Sequence, residues 1–394
     1  MNAKVLLAWE MGAGLSHATR LLVVAKALKA VGWTPIVAAR DVSTFADQYR
    51  AESILVVQAP LQLQSQVPPG QVFRARSFAD IIAACGFQRL EALWPVVIAW
   101  DSLLDLIRPA VVVADYCPIL PLACLGQIAV VTIGDGFVVP PGHLSKMPQL
   151  QRTGTEMAPE EVSLAHACEV QRRRGIRSLP TSLANLVAGD ASVVCTFPEL
   201  DVYGRYRQIP ATGPLASHLT YVSPPAKPSL FAYLAADFPK TRKLLRAISD
   251  SGIAAAAYVR DAPDNLKHAL RARGMTIHDK PPPPERAFAE RDLIIHHGGI
   301  GTIEACLMLG RPQLLLPRHL EQVLNARLTR LLGVSDTLGS EFTLAQAAIQ
   351  IKEMCCSSEL VKRAGEVALS VQERKPGHSL ECIVESVRTL AAPR

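Results

Sequence analysis

No uninterrupted run of about 18 or more apolar residues occurs in the chain, so the sequence offers no membrane-spanning helix. The opening stretch MNAKVLLAWEMGAG has a short apolar run that leads into glycine, without the cleavage pattern of a signal peptide. A cytoplasmic protein is expected. The nine cysteines are scattered, adjacent only at Cys355 and Cys356, with no C-x-x-C pair. An odd count argues against a disulfide framework and for reduced thiols. No Asp-x-Asp motif is present and no His/Cys cluster has metal-ligand spacing, so no catalytic metal is expected.

Nothing resembles a nucleic-acid module, and charge is sparse at 19% of residues. The net charge of +6 has one dense cluster, QRRRGIR, Gln171 to Arg177. It reads either as a solvated helix end or as a contact for acidic groups such as anionic lipid headgroups, which leaves peripheral membrane contact open.

What is present is apolar material, 49% of 394 residues. That length exceeds what one core usually holds, so two domains of roughly 150–220 residues are expected. Short apolar runs (AKVLLAWE, TPIVAAR, SILVVQAP, AVVVADYC, IAVVTIGD, ASVVCTF) alternate with helix-length amphipathic segments. Strands buried on both faces require such runs, which predicts an α/β architecture of parallel sheets covered by helices. The pattern pauses at GPLASHLTYVSPPAKPS, Gly213 to Ser229, whose four prolines break any helix or central strand. It resumes with LFAYLAA, GIAAAAYVR, GMTIHDK, DLIIHH and RPQLLLP. The expected division is an N-terminal Rossmann-like domain over 1–215, a linker over 216–228, a C-terminal Rossmann-like domain over 229–375, and a C-terminal helix over 376–394 that can cross back to the first domain. The two domains would face one another across a cleft.

The decapeptide HHGGIGTIEA, His296 to Ala305, joins the strand DLIIHH to a helix that stops at Gly310. Ligands of open α/β sheets sit outside the carboxyl ends of strands, which is where this turn falls. Glycines let a phosphate approach the backbone, and the free N–H groups of a helix start favour an anion. Gly298, Gly299, Gly301 and Thr302 therefore suit a pyrophosphate. His297 can donate to a phosphate oxygen or be a strand-end histidine satisfied within the fold, whereas His296 reads as structural. Glu304 can accept from ribose hydroxyls or merely complement the helix dipole. Downstream, LPRHLEQVLNARL places Glu321, Gln322 and Asn325 on one side of another helix start, either as ordinary helix-start polarity or as hydrogen-bonding groups for a sugar.

The stretch HHGGIGTIEACLMLGRPQLLLPRHLEQVLNARL, His296 to Leu328, resembles the donor-binding signature of GT-B glycosyltransferases of the UDP-glycosyltransferase superfamily, of the bacterial flavonoid and macrolide glycosyltransferase kind. In that signature His-Gly-Gly-x-Gly-Ser/Thr-x-x-Glu-Ala is followed by Gly-x-Pro, a proline-ended strand and Asp-Gln-x-x-Asn-Ala. The resemblance implies that His297 and Thr302 hold the donor pyrophosphate, Glu304 the ribose, and Glu321 with Gln322 the sugar hydroxyls. Glu321 stands where the family usually has aspartate.

The first strand leads to GAGLSHATRLL, in which Gly12 and Gly14 match two glycines of a G-x-G-x-x-G fingerprint but His17 occupies the third position. A histidine at a strand-to-helix junction suits a general base, because imidazole changes charge near neutral pH. Asp115, at the end of AVVVADYC, can orient it. The plainer readings are a helix-capping histidine and a strand-end turn aspartate. Ser16-His17 resembles the Gly-His that opens the same family, and Asp115 falls where many members carry the aspartate of a His-Asp dyad. IGDGFVVPPG and TFPELDVYGRY…GPL are also similar to the family.

Together these readings imply an inverting glycosyltransferase, metal-independent and without a cofactor, that takes a UDP- or dTDP-sugar co-substrate and a small-molecule or lipid-linked acceptor. The alternatives are a sugar-nucleotide epimerase or hydrolase on the same fold, and a catalytically silent nucleotide-sugar-binding protein. The segments Val67 to Phe87 and Phe137 to Leu179 are long enough to build the acceptor pocket that a transferase needs.

Overall fold

A computed structural model describes residues 3–12, 15–43, 45–63, 67, 73–154, 157–215, 218–225, 227–339, 341–374 and 378–392. The chain divides into two units, Met1–Leu215 with Gly377–Arg394, and Ala216–Pro376.

In the first unit the six apolar runs form strands β1 (Lys4–Trp9), β2 (Thr34–Ala39), β3 (Leu55–Gln58), β4 (Val111–Asp115), β5 (Ala129–Gly134) and β6 (Ala191–Val194). They make one parallel sheet in the order β3-β2-β1-β4-β5-β6. The valine- and leucine-rich strands β1 and β4 lie at its centre, and β4 is buried along its whole length. Both faces being covered is what lets a strand carry no polar side.

The second unit contains β7 (Ser229–Ala235), β8 (Ala254–Arg260), β9 (Thr276–His278), β10 (Leu293–His296), β11 (Gln313–Leu315) and β12 (Ser335–Thr337), again all parallel, in the order β12-β11-β10-β7-β8-β9. Counted within the unit this is the same doubly wound order, so strand order reverses between β1 and β4 in one sheet and between β7 and β10 in the other. β12 was not expected: three residues, Ser-Asp-Thr, carry no apolar run.

Each unit has its own core. In the first, Val5, Leu7, Leu21, Leu28, Val111 and Val113 pack together with Ile383 and Val387 from the helix His378–Ala391. That last helix thus belongs to the first unit, where Ser379 donates to the carbonyl of Gly213. In the second, Leu230, Leu244, Leu293 and Leu314 are wholly buried, each such side chain contributing about 1.5–3 kcal/mol.

The proline-rich stretch expected as a linker is seated on the second unit. The guanidinium of Arg311 donates to the carbonyls of Val222 and Ser223. Ala216, Ser217 and Ala226 lie outside the described residues. Among those described, no single helix is long and apolar enough to cross a membrane; the bent pair Phe78–Phe87 and Leu90–Ile107 passes by composition, and is mostly core.

Candidate functional site

The point of strand reversal in the first sheet brings together the two residues expected as a dyad. Trp9 at the end of β1 is the register partner of Asp115 at the end of β4, and the helix that follows β1, Leu15–Ala30, carries His17 in its first turn. Nδ1 of His17 lies 3.1 Å from Oδ2 of Asp115. Asp115 has no solvent exposure and His17 only 8%. The ring stacks on Trp9, centroids 5.4 Å apart, and is tilted against Tyr116. These contacts fix its plane.

Sequence reasoning missed a third member. Nη1 of Arg20 donates to Oδ1 of Asp115 at 2.8 Å. Burial would raise the carboxyl of Asp115, but Arg20 and His17 outweigh it and hold the group below its usual range. Arg20 was legible only as one cation among many; its spacing of three from His17 on a helix was the available signal.

A second missed residue, the carboxylate Asp135, follows β5 and accepts from the N–H groups of Phe137 and Val138 at 2.9 and 3.2 Å. Burial pushes its carboxyl up, against the opposing pull of Arg20. The two family-like stretches here support one another: Arg207 pairs with Asp201 and donates to the carbonyls of Gly136 and Val139. They therefore hold the loop that carries Asp135. Phe78 reaches both Tyr116 and Phe137, at ring distances of 6.0 and 5.7 Å. Residues 68–72 of the expected acceptor segment lie outside the described residues, as do residues 155–156 of the other.

Gly12 takes a left-handed backbone, φ +86°, and a Cβ there would stand 2.5 Å from Nε2 of His17. It thus keeps clear the ring nitrogen that Asp115 does not occupy. Gly14 lies outside the described residues.

In the second unit the turn sits at the other reversal point. Gly298 has φ +91°, which L side chains rarely adopt, and Gly299 opens the helix Ile300–Leu309. The first N–H groups of that helix have no intrahelical acceptor. A Cβ at Gly299 or Gly301 would meet nothing within 4 Å. Packing does not require glycine at either position, whereas close approach of a ligand to the backbone does. Thr302 is half-buried in the first turn, and Glu304 is buried one turn on.

The structure corrects the expectation for His297. Nδ1 lies 2.9 Å from the carbonyl of Leu316, and Nε2 lies 3.0 Å from the amide nitrogen of Ala235. The amide must donate, so the ring proton is on Nδ1 and is given to Leu316. No ring N–H remains for a phosphate. Burial lowers this imidazole to about 4, which keeps it neutral. His296 is structural as expected: it bonds Oε1 of Gln313 at 3.0 Å and accepts from the N–H of Gly298 at 3.1 Å, and burial lowers it to about 3.

The downstream helix Leu320–Leu331 divides the residues expected on one face. Asn325 is buried and donates its amide to the carbonyl of Gly298 at 3.1 Å, bracing the turn. Oε1 of Gln322 accepts from the N–H of Arg318 at 2.9 Å. Glu321 is half-buried at the helix start. Charged residues not foreseen also act on His297: Arg318 and Arg260 lower it and Asp237 opposes them, and Arg318 pairs with Asp237 at 2.7 Å above the ring of Phe238.

Among the described residues no group of His, Cys, Asp and Glu could hold a metal ion. Two surface cavities lie elsewhere, one of about 530 Å³ beside Trp94 and Arg174, the other of about 760 Å³ beside Arg330 and Arg363.

No protein-family model and no curated protein matches the chain. Solved structures do. The glycosyltransferase SnogD from Streptomyces nogalater is 18% identical, with 99% of this chain and 100% of that chain covered and a TM-score of 0.60. Spinosyn rhamnosyltransferase SpnG, complexed with spinosyn aglycone, is 18% identical over 96% of this chain and 99% of its own, with a TM-score of 0.65. Glycosyltransferase VinC, in complex with dTDP, is 15% identical over 98% and 99%, with a TM-score of 0.62. At such identities the likeness is one of fold, and it extends over whole chains: this protein has the GT-B fold of glycosyltransferases, built from two Rossmann-like units with parallel sheets.

Proposed function

We propose that the chain is an inverting glycosyltransferase. Its second unit binds a nucleoside-diphosphate sugar at the turn Gly298–Thr302, and His17 of its first unit takes the proton from an acceptor hydroxyl. The observation that carries this reading is the state of the His17 ring. Nδ1 is committed to Asp115, so Nε2 is the nitrogen left to accept a proton, and Gly12 leaves it room. The acceptor oxygen then attacks the anomeric carbon opposite the leaving diphosphate, which converts an α-linked donor into a β-linked product. Asp115 stabilises the imidazolium as it forms.

The departing diphosphate gains charge at its bridging oxygen. The N-terminal amides of the helix Ile300–Leu309, the Thr302 hydroxyl and the nearby Arg318 and Arg260 supply fixed positive ends for that charge. Fold relatives support this choice of donor and acceptor classes: VinC is complexed with dTDP and SpnG with spinosyn aglycone. With the resemblance of the turn to the UDP-glycosyltransferase signature, UDP- and dTDP-hexoses are the first donors to test, with small-molecule aglycones as acceptors. Glu304 is assigned to the ribose and Glu321 to the sugar hydroxyls.

Incubation with these donors and an aglycone panel is expected to release nucleoside diphosphate only when acceptor is present, at a rate EDTA does not change. Release without acceptor would identify a hydrolase. Tight binding without any release would identify a silent binding protein.

A further inference from the structure

Arg20 is a cation that a His-Asp dyad alone does not call for. It follows His17 by three residues, so both side chains leave one face of the same helix. They converge on the two oxygens of a single carboxylate, Nδ1 of His17 at 3.1 Å from Oδ2 of Asp115 and Nη1 of Arg20 at 2.8 Å from Oδ1. Asp115 is wholly buried, and the Arg20 side chain is 10% exposed.

Building on the glycosyl-transfer reading, we propose that Arg20 is a positioning residue that sets the protonation of the Asp115–His17 pair. A carboxyl removed from water favours its neutral form. Opposing this is a guanidinium, which does not give up its proton. With Asp115 held as a carboxylate, it accepts from Nδ1–H of His17, and the bare nitrogen is Nε2. The same cation disfavours a second positive charge on the ring. It therefore acts on the proton affinity of the pair as a whole.

Other titratable groups around this cluster come from several neighbouring elements. Asp135 follows β5, and its charge acts on both Arg20 and His17. Tyr116 lies against the ring, and Cys117 and Cys195 sense Asp115. Tyr49 donates to the carbonyl of Ala18 and also feels Asp115. None of these is a permanent cation; Arg20 is.

The test is NMR titration of the His17 imidazole in the full-length protein, with its signal identified by loss in His17→Gln. In Arg20→Met the midpoint is expected to rise by about one pH unit, tenfold in proton affinity, and in Arg20→Lys to return toward the parent value. The acid limb of kcat/KM should move in step. Should Arg20→Met fail to fold, Arg20→Gln removes the charge while keeping a hydrogen-bond donor, and the same rise is expected. An unmoved midpoint in a folded, charge-free variant overturns the proposal. Because the titration needs neither donor nor acceptor, a parent protein that transfers no sugar would remove the glycosyl-transfer reading separately.

Discussion

A β-carbon on Gly12 would stand 2.5 Å from Nε2 of His17. The Gly12→Ala variant must therefore displace the ring or the loop, and it also places alanine at φ +86°, a conformation costing about 1–2 kcal/mol. Turnover is expected to fall much further than so small a stability loss explains. A thermal melt and a rate measured side by side check this, and near-normal turnover would show that Nε2 does not face the acceptor.

His17→Ala is expected to leave nucleotide affinity nearly intact while lowering turnover by about 10²–10⁴-fold, the range for loss of a general base. Asp115→Asn should also slow the reaction. It additionally leaves the Arg20 guanidinium facing an uncharged amide, so a stability loss of about 3 kcal/mol is expected. Anomeric coupling in the product of a glucose-like donor reads the stereochemistry, and a retained α linkage would sink the single displacement.

Gly301→Ala separates ligand binding from folding. Its new methyl group meets open space, and alanine inside a helix is favoured over glycine by about 0.5–1 kcal/mol. The variant should melt at the same temperature or higher, yet bind nucleoside diphosphate about tenfold or more weakly, about 1.4 kcal/mol. Calorimetry showing unchanged affinity would move the phosphate away from this turn.

His296 and His297, lowered by burial to about 3 and about 4, give stability a pH dependence. Unfolded histidines take up protons near 6.5, which the native rings refuse until far lower pH. The unfolded state then binds more protons, and stability falls as pH drops from about 6.5 toward 4, by up to about 1.4 kcal/mol per unit for each ring. Melts between pH 7 and pH 4.5 test the sign, and a flat profile would contradict buried neutral rings.

The sheets were legible because their strands are apolar runs of the kind that burial on both faces selects, and β12 escaped because Ser335–Thr337 carries none. The glycine turn was legible because a left-handed backbone restricts the residue type at Gly298, and the proposed approach of a phosphate would restrict it at Gly299 and Gly301. Roles that depend on where a polar side chain points were not. His297 and Asn325 looked like ligand contacts because each is polar and near the turn, and both proved to be spent on backbone groups. Arg20, Arg260 and Arg318 went unnoticed for the opposite reason. A cation on a helix or strand end has an ordinary solvated reading, and only the fold brings it beside a carboxylate or the glycine turn.

The His297 ring touches the ends of two strands at once, accepting from Ala235, the last residue of β7, and donating to Leu316 just beyond β11, with its own strand between them. It works as a cross-tie over three neighbouring strands, while Asn325 clamps the turn from the adjacent helix. The amides proposed to receive the anion would therefore be aimed before any ligand arrives. Nucleotide capture would then need little chain ordering, and its heat-capacity change should follow the surface covered by the nucleotide, with no added component from a folding loop.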